Sequence, residues 1–471
     1  MNETSATAAV NRFGLGAKPG ELAQARDPRG WLRAQLRAGP DLAPFAGLPD
    51  SGELLRRQNQ YRQERRQAKP KGPAAEGATP QVPVERERSP LQQALRRDAF
   101  EDLGLRYRVA AATDAPFVER LVHFWSNHFA ISIDKNQARL MAAPMEREAI
   151  RPHVAGRFAD LLLAVETHPG MLLYLDNAAS IGDDSMLAKR AGRRQAKRKL
   201  GLNENLAREI LELHTLGVNG GYAQQDVIEL AKAITGWGTP LPRDAGSAGA
   251  GYVYRPVAHE PGARIVLGKR YADDGEAQGR AILRDLAVHP ATAKHLSFKL
   301  ARHFVADVPP PALVERMAAA YLRSDGDLGA LYRAMIDDDA AWSADARKFK
   351  SPQDFVVSAM RGGGIALDRN PAALLRLLQA LGQPSFTPRS PAGFPDTAAD
   401  WASGDALRKR LQAAAALAGQ VAADQRPIDL AVATLGPGAT QGPLGDALRR
   451  AGSPQEGFAL LFSSPAFQWR V

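Results

Sequence analysis

Between residues 203 and 217 the chain reads NENLAREILELHTLG. Carboxylates, an arginine, two asparagines and a histidine alternate with leucines, a mixture suited to acid–base work or to holding a cation. The first question is which of these side chains can converge. On a regular helix at about 100° per residue, Leu206, Ile210 and Leu213 form the buried stripe. Glu204, Arg208 and Glu212 fall opposite it at four-residue spacing, as a ladder of ion pairs. Asn205 and Glu209 lie beside the ladder, and Glu209 and Glu212 face roughly the same way. His214 and Asn203 lie at the edge of the apolar stripe, so a site using both His214 and the carboxylates needs other segments. Asn203 also suits a helix N-cap, a role with no chemistry.

The stretch His123-Phe124-Trp125-Ser126-Asn127-His128-Phe129 offers two more imidazoles. They are five residues apart, about 140° around a helix, which makes them poor joint ligands of one metal. His128 shares a face with Trp125, as a core histidine with a satisfied ring also would. HExxH is absent, there are no cysteines, and the 203–217 helix lacks Glu-x-x-His. Known zinc and di-iron patterns therefore fail, and the sequence names neither a metal nor a cofactor. Gly217–Val227 has the outline of a calcium loop without its alternating acids, and its glycines suit a left-handed turn between helices. Phosphate-binding and dinucleotide-binding glycine motifs are absent.

The elements that must position these residues read as helices. Apolar residues recur at helical spacing from about residue 92 onward, with helices expected near 116–125, 137–150, 156–167, 203–216, 224–235, 275–287, 290–304, 310–323, 327–336, 352–361, 371–381 and 404–417. Strand signals are few. Gly251–Val257 and Ala263–Gly268 read as one hairpin around His259-Glu260-Pro261-Gly262. The expected fold class is mainly α: a large multi-helical domain over 96–471 with a minor β-hairpin near 251–268, joined to N-terminal helices within 1–57. Residues 58–95 are rich in Arg, Lys, Gln and Pro, and read as a mobile basic linker.

The chain has 471 residues, 45% of them apolar, and a formal net charge of +10. Seven of the eleven residues from Lys189 to Lys199 are basic. The run 186–199 reads as a solvated insert, or as a dock for an anionic partner. It lacks the interleaved aromatics of a nucleic-acid reader, so specific nucleic-acid binding is not expected. The N-terminus has no secretory pattern, and 18 apolar residues never run together. No membrane span is expected, and the expected location is cytoplasmic.

Several blocks carry a family resemblance. Residues 203–237 and HFWSNHF (123–129) resemble signature segments of the bacterial family called domain of unknown function 1800. AAVNRFGLGAKPGEL (8–22), VETHPGMLLYLDN (165–177), His289–Ala293 with Lys299-Leu300, Lys350-Ser351-Pro352 and Gly382-Gln383-Pro384 resemble its other blocks. Where the family usually shows His-Asp and then Lys, this chain has His259-Glu260 and Arg264. Where it often shows Gly-Trp-Pro, this chain has Gly393-Phe394-Pro395. The family brings no established activity with it.

Taken together, the expected site lies where the 123–129 helix, the 165–177 segment, the 203–217 helix and the 259–268 hairpin meet. Its residues would be His128, His168, Asp176, Glu209, Glu212, His214 and His259, with acid–base or hydrolytic chemistry the most economical use. The alternative is a non-catalytic scaffold whose polar clusters fix helix register and whose basic loop docks a partner. An open cleft favours the enzyme, and a sealed core the scaffold.

Overall fold

A computed structural model describes residues 3–67, 90–193, 201–241 and 251–470. Among these residues the architecture is helical, and the strands form only three two-stranded antiparallel sheets. Most helix starts follow the chemistry of their first residues. Proline stands at or next to the first helical position of Pro116–His128, Pro290–Phe304 and Pro352–Gly363. Its fixed φ suits the first turn, where its missing N–H is not needed. Ser351 caps the last of these helices, its hydroxyl accepting from the Asp354 amide at 3.1 Å.

Two large hydrophobic cores organise the packing. The larger gathers Phe13, Phe117, Trp125, Phe158, Leu206, Leu230, Leu296 and Tyr332 with their neighbours. The second gathers Tyr107, Phe355, Met360, Leu378, Leu417 and Phe462. A small satellite cluster of Leu54, Leu55, Leu95 and Met141 ties two further helices to the body. Those helices, Ser51–Gln67 and Pro90–Ala112, both run into the stretch read as a linker. Arg57 holds them together, bonding Glu53 on its own helix at 2.6 Å and Asp98 on the other at 2.7 Å. Residues 68–89, the centre of that stretch, lie outside the described residues, as do residues 194–199 of the basic run, whose first part is the helix Met186–Arg193.

The strand pairing differs from the expected hairpin. Val253–Tyr254 pairs with Trp237–Gly238, while Arg264–Val266 pairs with Lys269–Tyr271. The real hairpin turns at Leu267-Gly268, both at positive φ (49° and 76°). Two left-handed residues make the tight turn whose twist matches its flanking strands. Leucine is a poor residue for φ > 0, which is why the sequence hid this turn.

The 203–217 helix also departs from regularity. It is α-helical over Asn205–Glu209 and then π-helical over Ile210–His214. The N-cap is Glu204 and not the expected Asn203, whose side chain instead accepts from the Asn205 amide at 2.9 Å in the turn before the helix. The wider π turn stacks residues five apart, so Glu209 and His214 come to share a side, against the reading from a regular helix. Two more π turns, Ala9–Phe13 and Glu146–Ile150, likewise carry buried polar residues, Arg12 and Glu146.

Candidate functional site

Two polar regions flank the helix Pro116–His128. The first is sealed. His214 lies 2.7 Å from Glu166, and both side chains are fully buried. The contact is close, but neither ring nitrogen of His214 makes a well-aligned hydrogen bond. His128 places Nε2 3.1 Å from the His214 carbonyl, and its ring centroid stands 6.1 Å from that of His214 and 6.3 Å from that of His295. Burial, with Lys299 nearby, pushes His128 well below the ordinary histidine pKa and His295 down to about 4. Burial likewise lowers Lys299 to about 8. Gly217 permits the closure. Its φ is +86°, and a Cβ there would sit 2.8 Å from the His295 ring.

The other residues expected at this site are placed as follows. Glu209 is half-buried; burial raises its pKa, His214 opposes the rise and Glu212 adds to it. Glu212 accepts from the Tyr222 hydroxyl at 3.1 Å. Arg208 pairs with Glu204 at 3.2 Å and with Gln224 at 2.8 Å, so the expected ladder stops short of Glu212. His168 is an N-cap, accepting from the Gly170 amide at 3.0 Å with Nε2 3.3 Å from Glu148. Asp176 pairs with Lys135 at 2.7 Å. His259 lies 3.1 Å from the Thr235 carbonyl. His128, His214 and Glu209 are thus neighbours, whereas His168 and His259 are engaged by other partners. No group of three or more metal-ligating side chains occurs among the described residues.

The second region is an open cleft of about 70 Å³. His123, Ser126 and Asn127 of the helix form one wall. Ser351, Gln353 and Asp354 form another, and Gln383–Phe386 with Phe394–Asp396 the third. Family-like blocks that are far apart in sequence meet here: HFWSNHF, Lys350-Ser351-Pro352, Gly382-Gln383-Pro384 and Gly393-Phe394-Pro395. Asn127 clamps the last of them. Its amide donates to the Phe394 carbonyl at 2.9 Å and its oxygen accepts from the Phe394 amide at 2.8 Å. Gly393, at φ +83°, packs against Asn127 where a Cβ would collide.

The turn delivers Asp396, whose Oδ2 lies 2.9 Å from His303 Nδ1. His303 Nε2 and both nitrogens of His123 are buried without a hydrogen-bond partner in the protein. Burial lowers the pKa of His303, against the opposing pull of Asp396, so the ring is neutral near pH 7. A neutral ring donating Nδ1–H to Asp396 leaves Nε2 as an acceptor. Asp396 is kept below the usual carboxylate range chiefly by His303 and then Lys348, against the effect of burial. Around the cleft the charges are paired. Asp354 meets Arg120 at 2.9 Å, Arg106 meets Glu146 at 2.8 Å, and Glu119 holds Arg151 through two bonds of 2.5 and 2.7 Å while standing 3.6 Å from His123.

Sequence reading missed Glu166, His303 and Asp396. Glu166 stands two residues before His168, which drew attention instead. His303 and Asp396 are 93 residues apart, and no local spacing links them. The family-like Gly-Phe-Pro turn was the available signal, because Asp396 follows it directly.

No described helix is long and apolar enough to cross a membrane. No curated protein and no solved structure matches the chain. A family model described as "Protein of unknown function (DUF1800)" matches residues 8–469. With nearly its whole length covered by that match, the chain belongs to the DUF1800 family.

Proposed function

We propose that the chain is an enzyme of acid–base, hydrolytic type working in the cleft, with His303 as general base and Asp396 as the group that orients it. The observation that supports this reading is the His303–Asp396 contact at 2.9 Å combined with a buried, unpartnered Nε2 on a side chain that lines the cleft. A buried imidazole nitrogen without a partner is costly unless water or a ligand meets it. The cleft has room for several waters or one small reacting group. In this reading His303 Nε2 takes a proton from a bound water as the water oxygen bonds the acyl or phosphoryl centre of an ester, Asp396 stabilises the imidazolium that forms, and the imidazolium returns the proton to the alcohol oxygen as its bond to that centre breaks. Ser126, which also lines the cleft, is the hydroxyl placed to hold that water.

The test is a panel of activated esters and phosphoesters with the intact chain and with His303→Gln and Asp396→Asn. Loss of about 100-fold or more in turnover for both variants, with folding intact, supports the proposal. Equal turnover in all three proteins sinks it. Because the pKa of His303 is lowered, the base stays unprotonated at pH 6.5, and the rate should fall only on more acidic titration.

The non-catalytic reading keeps a narrower place. The seal around His128, His214 and Glu166 favours a structural network there, one that fixes how three helical segments meet.

A further inference from the structure

A second cavity has no part in the reaction proposed above. It holds about 970 Å³ and lies between the helices Ser51–Gln67 and Pro90–Ala112 and the segment 133–144. That volume is at the top of the range for small-molecule sites, and far beyond what the cleft offers. Leu54, Leu95, Leu103, Leu140, Leu375 and Phe386 supply its apolar lining. Along the first helix the lining runs from Leu54 through Gln58 and Arg62 to Arg66. Twelve residues of helix span roughly 18 Å, so the groove is long rather than round.

Its charge is asymmetric. Leu54 marks an apolar end, while Arg62 and Arg66 stand exposed toward the other, with Arg139 exposed on the facing segment. None of the three pairs with a carboxylate among the described residues. The acids in the lining are already engaged: Asp98 by Arg57 at 2.7 Å, and Asp102 with Arg147 at 3.9 Å. A neutral apolar ligand would leave the arginines unused, and a cationic one would be repelled.

We propose that this groove binds an unbranched apolar chain ending in an anion, a fatty carboxylate in chemical class, with the chain along Leu54, Leu95 and Leu103 and the carboxylate at Arg62 and Arg66. Two NH groups of a guanidinium match the two oxygens of a carboxylate, and the leucines exclude water from the chain. The assignment does not rest on the acid–base reading of the cleft.

Titration calorimetry of the full chain with laurate, below its micelle concentration, tests it. One laurate should bind per chain, with dodecanol and dodecyltrimethylammonium at least tenfold weaker and butyrate undetectable. The double substitution Arg62→Glu with Arg66→Glu should weaken laurate at least tenfold while leaving dodecanol unchanged. Leu103→Trp, which fills the groove, should abolish binding of both. No laurate binding, binding untouched by the arginine variant, or unsaturable uptake of many molecules per chain would overturn the proposal. The arginines are exposed, so their variant remains informative if Leu103→Trp fails to fold. Loss of hydrolysis in His303→Gln with laurate binding intact, or the reverse, separates the two proposals.

Discussion

The helix Pro116–His128 borders both polar regions and serves them with opposite faces. His123, Ser126 and Asn127 face the cleft, and His128 faces the sealed cluster. The residue types are the same on both sides: imidazoles, carboxylates and a buried lysine or arginine. Both regions hold buried imidazole nitrogens without a hydrogen bond, and the difference lies in what adjoins them. In the cluster, His214 has Glu166, and His128 and His295 reach backbone carbonyls; His128, His214 and Glu166 are buried, with His128 Nδ1 and both His214 nitrogens lacking a hydrogen bond, and His295 is half-buried. In the cleft, His303 is bonded through Nδ1 only, and its Nε2 is buried and unpartnered on a side chain that lines the open space. Composition therefore does not separate a structural network from a reactive one. An adjoining cleft does.

The comparison breaks most sharply under Glu166→Ala. Removing one partner of a fully buried pair should cost about 3–5 kcal/mol, read as a lower denaturation midpoint. A loss under 1 kcal/mol would mean that the cluster is not the sealed network described. His303→Gln should behave in the opposite way: under about 1 kcal/mol of stability, because the cleft can hydrate the altered side chain, beside the large activity loss expected above. Denaturation curves of the two variants on one plot decide whether the regions differ in kind.

Protonation sharpens the contrast further. His295 is held neutral in the fold, with its pKa down at about 4 from the ordinary 6.5. As pH falls from 6.5 to 4, the unfolded chain takes up a proton that the folded chain refuses. The contribution is fully present above pH 6.5 and is lost across that window. His295→Asn should flatten this loss by about 1–2 kcal/mol, less than the full shift implies because the ring is half-buried. An unchanged slope of stability against pH would show that His295 does not set it. The smallest effect is expected at Glu212→Gln, which keeps the contact to Tyr222 and should move stability by under about 0.5 kcal/mol. A larger loss would place Glu212 with the sealed network rather than at its edge.

Much of the helical architecture was legible because periodicity and proline at helix starts are local signals. Pro116–His128 and Pro290–Phe304 are where the spacing puts them. The opposed directions of His123 and His128 also followed from rotation along one helix. What escaped was non-local or irregular. The pairing of Val253–Tyr254 with Trp237–Gly238 depends on tertiary packing, and the Leu267-Gly268 turn runs against leucine's preference. Glu166 and Asp396 could not be matched to His214 and His303, because the fold and not the spacing brings them together.

The π turn at Ile210–His214 has the length bookkeeping of an insertion: it holds one residue more than the α-helical path needs. Deleting Leu211 would let the segment relax into a continuous α-helix. The extra residue would be gone, so His214 and the residues after it would keep nearly their present direction around the axis, with His214 still opposite Glu166. The π turn thus stores the one residue whose loss this helix can absorb without turning its histidine away.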